Sequence, residues 1–204
     1  LLLSLPNLSP STALVIGVAM SNPVRRRLMR DYKHFKKHSP QGIMAYADMH
    51  SVMIWHAIIF GPDNSPWEGG VFRLHLTFTD EYPNKPPKVI FISKMFHPNI
   101  YEDGNICLDI LQNMWSPMLN LTAILTSIQS LLTDPNTKSP ANKIASDMFV
   151  NDRATYHRQV MRHVELSWGL DEIEKQVDEG NLIKEADIKS LDAKSSSMKT
   201  NDME

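Results

Sequence analysis

The sequence is poor in cysteine. Its 204 residues contain a single one, Cys107, which excludes an internal disulfide and a zinc site built from several cysteines. A chain without disulfides fits a reducing compartment best. A lone cysteine is most often a small buried apolar residue, so only its sequence context can give Cys107 a chemical role.

The sequence also lacks a long uninterrupted hydrophobic run. Residues 1–19 are apolar, but Pro6 and Pro10 interrupt them. They have neither the basic start of a signal peptide nor the run of about 20 apolar residues that a membrane helix needs. We therefore expect no membrane association. We treat residues 1–19 as an extension outside the fold, with Met20 as the expected natural start.

A surplus of positive charge is absent as well. The formal net charge is −2, which gives no general electrostatic case for binding nucleic acid. Hydrophobic residues make up 42% of the chain and charged residues 22%, the balance of a globular protein with one substantial core. Residues 171–204 hold ten acids and five lysines. We expect one folded domain over residues 20–170, followed by an acidic, flexible tail over residues 171–204.

The first periodic segment is helical. Val24, Leu28, Tyr32 and Phe35 recur at helical spacing over residues 23–37, which predicts an amphipathic helix. Its outer face is either simply solvated or docks a partner. The basic residues expected on that face are Arg25, Arg26, Arg27, Arg30, Lys33, Lys36 and Lys37.

A period of two follows the helix. It predicts strands over residues 52–60, 71–79 and 89–92, with a weaker strand near residues 43–49. Glycine, proline, asparagine and aspartate fill the connections, as in a meander of antiparallel strands.

Helical spacing returns in the second half of the chain. Residues 121–132 form a largely apolar helix that should be buried and should end before Pro135. Two further helices are expected, one opening at Ser139 and one over residues 152–168. A helix, a meander and three helices in this order predict an α+β fold.

Cys107 follows a turn rather than a regular element. The run Asp103-Gly104-Asn105 is turn material and can bring Asn99 back near the cysteine. A thiolate is a strong nucleophile, adequate for thioester exchange. A cysteine protease would need a histidine base and a residue that orients it. His97 is the nearest candidate, but no triad signature accompanies it.

Five motifs surround this cysteine in a fixed order. They resemble those of the ubiquitin-conjugating enzyme family, and the resemblance covers residues 21–168. Residues 21–31 and 108–113 are similar to the radiation-sensitivity, or post-replication repair, subgroup of that family. The five motifs are Tyr82-Pro83 with Pro86-Pro87, His97-Pro98-Asn99, Gly104-Asn105-Ile106-Cys107-Leu108, Trp115-Ser116-Pro117 and Asp134-Pro135-Asn136.

The resemblance implies a fold and a reaction. The fold is an N-terminal helix, a four-stranded antiparallel meander, the active-site segment, a central helix and two C-terminal helices. Cys107 would accept ubiquitin as a thioester from the ubiquitin-activating enzyme, which uses ATP upstream, and pass it to a substrate lysine with a RING-type ligase. No cofactor or metal is implied. The subgroup suggests histone substrates, DNA repair, and a location in cytoplasm and nucleus.

The resemblance also implies roles for residues near the thiol. Asn99 would donate to the developing oxyanion or brace the loop, although it could equally be a turn-stabilising asparagine. His97, with Pro98 beside it, would hold the loop rather than act as a base. Asp134 would orient the incoming lysine and accept its proton, unless it only stabilises a turn. Asp109 could be merely a solvent-facing charge.

Docking of the ligase and the activating enzyme is expected on three segments. Met114 stands where the subgroup usually has arginine, and residues 118–120 depart from its usual sequence, so the choice of ligase is open. The expected docking residues are Arg26, Arg30, Asn84, Ser116, Pro117 and Met118.

Three alternative functions compete with this one. A non-catalytic variant of the fold would only present ubiquitin, but such variants lack the cysteine that this chain has at Cys107. A different ubiquitin-like modifier could be the cargo. Direct nucleic-acid binding would rest on the arginine run over residues 25–27, without aromatic residues on which bases could stack.

Overall fold

The structure is a computed structural model that describes residues 22–169. The proposed extension over residues 1–19 and the proposed tail over residues 171–204 lie outside the described residues. Within them the chain forms one helix, a four-stranded sheet and then three further α-helices, which confirms the expected α+β architecture.

Helix α1 spans Pro23–Lys37. Its start is defined by Asn22, whose side chain accepts from the N–H groups of Val24 and Arg25, and by Pro23 in the first turn, where a missing N–H has no helical partner to lose. The apolar stripe is buried, as its spacing predicts.

The sheet is an antiparallel meander in the order β1-β2-β3-β4. Its inner face supplies alternate buried residues to the core, among them Trp55, Phe72 and Leu74, because successive side chains of a strand point to opposite faces. The strands are β1 (Ile43–Ala47), β2 (Ile54–Phe60), β3 (Val71–Thr77) and β4 (Lys88–Phe91).

The segment after β4 is irregular apart from a 3-10 helix, Asp109–Leu111. Its middle is tied to the sheet by a bridge between Ile90 and Asn105. Gly104 has a φ of +85°, and a Cβ there would collide with the main chain of Phe91. Only glycine therefore fits this turn.

Three helices complete the fold: α2 (Leu121–Thr133), α3 (Lys143–Asn151) and α4 (Arg153–Ser167). Helix α2 carries six buried apolar residues and packs against α1. It is the central element of the core, as its composition predicts.

Two expectations need correction. Helix α3 begins at Lys143, not at Ser139, because the N–H groups of Ala141 and Asn142 donate to the Pro98 carbonyl rather than entering a helix. Arg27 does not belong to the basic outer face of α1, since its side chain is only 19% exposed and is paired with Asp31.

Residues 22–169 contain neither a membrane-spanning helix nor a metal-binding cluster. No helix in this part of the chain is long and apolar enough to cross a membrane. No group of three or more histidine, cysteine or acidic residues is placed there to hold a metal ion.

Candidate active site

His97 lies under the active-site segment and is fully buried. Its Nδ1 accepts from the N–H of Asn99 at 3.0 Å, so the ring proton is on Nε2, which donates to the Leu131 carbonyl at 2.8 Å. Burial lowers the pKa of His97 to about 4 because the charged ring would lose its hydration. The neutral ring ties the segment to the end of α2, with both nitrogens occupied.

The end of α2 is held by a second buried donor. The indole N–H of Trp67 donates to the Leu132 carbonyl at 2.7 Å, and the rings of Trp67 and His97 are 5.8 Å apart. The last carbonyls of a helix have no partner within it. Two of them are satisfied here by side chains from other parts of the chain.

Pro98 holds the start of α3. Its carbonyl accepts from Ala141 at 2.8 Å and from Asn142 at 2.9 Å. Asn142 in turn caps α3 by accepting from the Ala145 N–H. The position of α3 therefore depends on the active-site segment.

Asn99 holds the loop between α2 and α3. It is 1% exposed, and its Nδ2 donates to the Asn136 carbonyl while its Oδ1 accepts from the Asn136 N–H, both at 2.8 Å. These bonds fix the loop by its main chain. The amide carries a second N–H besides the one that donates to Asn136.

Cys107 lies where these anchors meet. Its N–H donates to the Asn99 carbonyl at 2.8 Å, and its Sγ is 4.0 Å from the Ser139 carbonyl. The thiol is half-buried. A half-exposed thiol on an anchored main chain suits attack on a large acyl donor that approaches from solvent.

Asp134 and Asp109 lie in different settings. Asp134 is the exposed C-cap of α2, and its N–H donates to the Ser130 carbonyl. Asp109 opens the 3-10 helix and is exposed. The thiol donates to the main-chain carbonyl of Ser139, a residue that was not among the expected site residues. Residue type could not indicate this contact, because a main-chain carbonyl makes it.

The six expected docking residues come from three segments that the structure brings together. Arg26 and Arg30 are exposed on α1, Asn84 is exposed in the loop before β4, and Pro117 and Met118 are exposed in the turn before α2. Ser116 is half-buried beside them.

Arg27 joins α1 to the turn before α2. Its Nε lies 3.0 Å from both carboxylate oxygens of Asp31, and its Nη1 and Nη2 donate to the carbonyls of Pro117 and Leu119, both at 2.9 Å. Tyr82 donates to Asp31 at 2.6 Å. Burial, and then the Asp31 carboxylate, raise the pKa of the Tyr82 hydroxyl.

The loop before β4 is joined to the same turn by Trp115. Its indole N–H donates to the Pro83 carbonyl at 2.9 Å. Sequence reasoning missed this network, because Arg27 is one of three consecutive arginines and the one acid of α1 looks like an exposed charge.

We predict that His97 makes stability depend on pH. The His97 ring binds a proton with a pKa of about 6.5 in the unfolded chain and about 4 in the folded chain. The contribution of neutral His97 to stability is therefore fully present above pH 6.5 and declines as the pH falls. Between pH 7.5 and 5.5 His97 should remove about 1 kcal/mol from the free energy of unfolding, as measured by urea denaturation.

A matched variant isolates this contribution. His75 should also make stability decline as the pH falls, because burial and the neighbouring His56 lower its pKa. His75→Thr should therefore reduce the pH dependence while leaving the part due to His97. An unchanged pH dependence in a folded His97→Asn variant would contradict the assignment.

Comparison with known proteins places this chain in a family. The protein-family model described as "Ubiquitin-conjugating enzyme" matches residues 27–164. Ubiquitin-conjugating enzyme E2 1 of Caenorhabditis elegans is 55% identical over 149 residues, 73% of this chain and 78% of that protein. Ubiquitin-conjugating enzyme E2 3 of Arabidopsis thaliana is 54% identical over 149 residues, 73% of this chain and 99% of that protein. Ubiquitin-conjugating enzyme E2 2 of Kluyveromyces lactis is 54% identical over 160 residues, 78% of this chain and 97% of that protein. With its meander, its central helix and its anchored cysteine segment, the chain belongs to the ubiquitin-conjugating enzymes, which transfer ubiquitin through a cysteine thioester.

Proposed function

We propose that Cys107 is the residue that carries ubiquitin. The observation that supports this is its setting, since the single cysteine of the chain is half-exposed and its main chain is bonded to Asn99. Its thiolate attacks the thioester carbon that joins ubiquitin to the activating enzyme. A new S–C bond forms, the old one breaks, and the activating enzyme recovers its thiol.

The second transfer is to an amine. A lysine nitrogen attacks the thioester carbon on Cys107, an N–C bond forms, the S–C bond breaks, and the amine loses one proton. Exchange between thiols requires no deprotonation of an amine, so a variant that impairs only the second step should still be loaded.

Loss of the thiol should abolish loading. Incubation of Cys107→Ala with activating enzyme, ATP and ubiquitin should give no thiol-sensitive adduct on electrophoresis. Cys107→Ser should give an adduct that resists thiol, because an oxygen ester replaces the thioester. A thiol-sensitive adduct of normal intensity on Cys107→Ala would contradict the assignment.

Asn99 and Asp134 are proposed to serve the second transfer. Asn99 is supported by its burial beside the Cys107 main chain and by its second amide N–H. Asp134 is supported by the exposure of its carboxylate at the end of α2, in the loop that Asn99 anchors. Its carboxylate would orient the lysine and accept its proton.

Discharge of the loaded enzyme to free lysine tests both residues. Asn99→Ala should slow single-turnover discharge by about 100-fold to 1000-fold if one oxyanion hydrogen bond is lost. Asp134→Asn should slow it by about 100-fold or more if a general base is lost. Loading of both variants should remain near normal.

Asn136→Ala is the matched control. The bonds from Asn99 reach the main chain of Asn136, so this variant keeps them and should discharge much faster than Asn99→Ala. A normal rate for Asn99→Ala would limit it to a structural role, and a normal rate for Asp134→Asn would remove it as the proton acceptor.

The ligase and the activating enzyme are proposed to dock on α1, the loop before β4 and the turn before α2. The support is their physical connection through Arg27 and Trp115. Met118 is 87% exposed, and an exposed apolar side chain can be buried as an anchor when a partner binds. A RING-type ligase is the partner that the family resemblance suggests.

Reversal of one charge tests this surface. Arg30→Glu should weaken stimulation of discharge by a RING-type ligase, most strongly at low salt, because exposed charges act mainly on association. Discharge without ligase should persist. Lys94→Glu makes the same charge change on an exposed residue elsewhere and should have little effect. A parallel loss of ligase-free discharge in Arg30→Glu would point to a damaged fold.

The cellular role proposed is DNA repair and histone ubiquitination, in nucleus and cytoplasm. Its support is the similarity of residues 21–31 and 108–113 to the post-replication repair subgroup. The five excess negative charges of residues 171–204 would favour encounter with lysine-rich substrates at low salt.

A further inference from the structure

The solvent-facing side of α1 carries charge of one sign. The only acid of this helix is Asp31, which is buried and paired with Arg27, so the exposed side presents no carboxylate of its own. Cations three and four residues apart repel one another on a helix surface. The exposed cations, which together we call the α1 cationic face, are Arg25, Arg26, Arg30, Lys33, Lys36 and Lys37.

The complementary charge lies in the same chain. Residues 171–204 hold ten acids and five lysines, and residues 171–179 alone hold five of those acids against one lysine. The whole chain has a net charge of only −2. Positive charge is therefore concentrated on α1, and negative charge is concentrated in the residues that follow α4.

The end of α4 gives this acidic segment a fixed point of attachment. The Gly169 carbonyl accepts from Arg73 at 2.7 Å, and the indole N–H of Trp168 donates to the Gly69 carbonyl at 2.8 Å. A segment of this length can extend to about 110 Å, whereas a domain of this size has a radius of gyration of about 15 Å. The segment can therefore reach α1.

Tethering makes a weak contact sufficient. A tethered segment has an effective concentration of about 1 mM near its target. A segment that binds with a Kd of about 1 mM therefore occupies the target about half of the time. Several solvated charge pairs can supply such an affinity at low salt.

The outer face of the sheet is a poorer match. It exposes the apolar residues Met44 and Ile92. Its cations Arg73 and Lys88 are separate, and Asp48 at one edge is acidic. The positive charges that would attract an acidic segment lie closer together on α1.

We propose that the acidic segment, residues 171–204, docks in cis on the α1 cationic face. The docked segment covers Arg26 and Arg30, slows the encounter with the activating enzyme and the ligase, and leaves the face when salt screens the charges. The effect on encounter rests on the proposed function, whereas the docking does not.

Solution NMR of the full chain tests the docking. At about 20 mM salt, removal of tail charge should shift the backbone amide signals of α1, and the difference should vanish at about 1 M salt, where the Debye length is about 3 Å. Signals of β2 and β3 should stay in place. The charge-removing variant combines Asp171→Asn, Glu172→Gln, Glu174→Gln, Asp178→Asn and Glu179→Gln.

A second variant controls for substitution itself. Ser195→Asn, Ser196→Asn and Ser197→Asn alter the same segment without changing its charge, and should leave the α1 signals where they are. Unshifted α1 signals in the charge-removing variant would overturn the proposal, as would shifts confined to the sheet. Shifts that fade on dilution would show docking between two molecules instead.

The initial rate of thioester formation tests the consequence. Below saturation with activating enzyme, a face covered half of the time lowers the apparent affinity about twofold. The charge-removing variant should therefore form the ubiquitin thioester about twofold faster than the unsubstituted chain at low salt. At high salt the two chains should form it at the same rate. Equal rates at low salt despite shifted α1 signals would overturn the masking. Shifted signals in a chain that forms no thioester would contradict the proposed function and leave the docking in place.

Discussion

The active site depends on one short run of main chain. Three consecutive residues, His97, Pro98 and Asn99, bind the end of α2, the start of α3 and the loop between them. Cys107 is attached to the same run, because its N–H donates to the Asn99 carbonyl. Each bond involves neutral groups, and the two bonds of the His97 ring are buried, where an unpaired donor or acceptor would cost about 1–3 kcal/mol. The thiol and the loop between α2 and α3 are therefore held by the same residue, Asn99, the first through its main chain and the second through its side chain.

A second constraint holds the expected docking surface. The Arg27 guanidinium has five N–H donors in a rigid fork, and the structure directs them at the Asp31 carboxylate and at two carbonyls of the turn before α2. Hydrogen bonds to charged groups contribute about 1.5–3 kcal/mol each. Because a carboxylate neutralises the guanidinium from within the fold, Arg27 positions the turn without adding to the charge that α1 shows to solvent.

Local signals predicted the elements, and long-range contacts decided their ends. Helix α1 begins where its asparagine cap and proline predict, since both act within one turn. The sequence predicts the start of α3 at Ser139, four residues before Lys143. No local signal shows that the Pro98 carbonyl, 43 residues before Ala141, accepts from the N–H groups of the two residues that precede the helix. Arg27 could not be told from Arg25 and Arg26 by residue type, and the Ser139 carbonyl beside the thiol has no side-chain signature. The five motifs around Cys107, by contrast, identified the family from the sequence alone.

Charged residues lie where partners would approach, whereas the groups that anchor the thiol are neutral. The anchors of the thiol are uncharged, because His97 is neutral above about pH 4 and its neighbours are proline and asparagine. Neutral hydrogen bonds are little affected by salt, so the geometry of the thiol should not respond to ionic strength. The exposed cations of α1 respond strongly, since solvated charges are screened over about 10 Å at 0.1 M salt. A salt effect would therefore arise at exposed charges such as those of α1, in the approach of a partner, and not in the hydrogen bonds that anchor the Cys107 main chain.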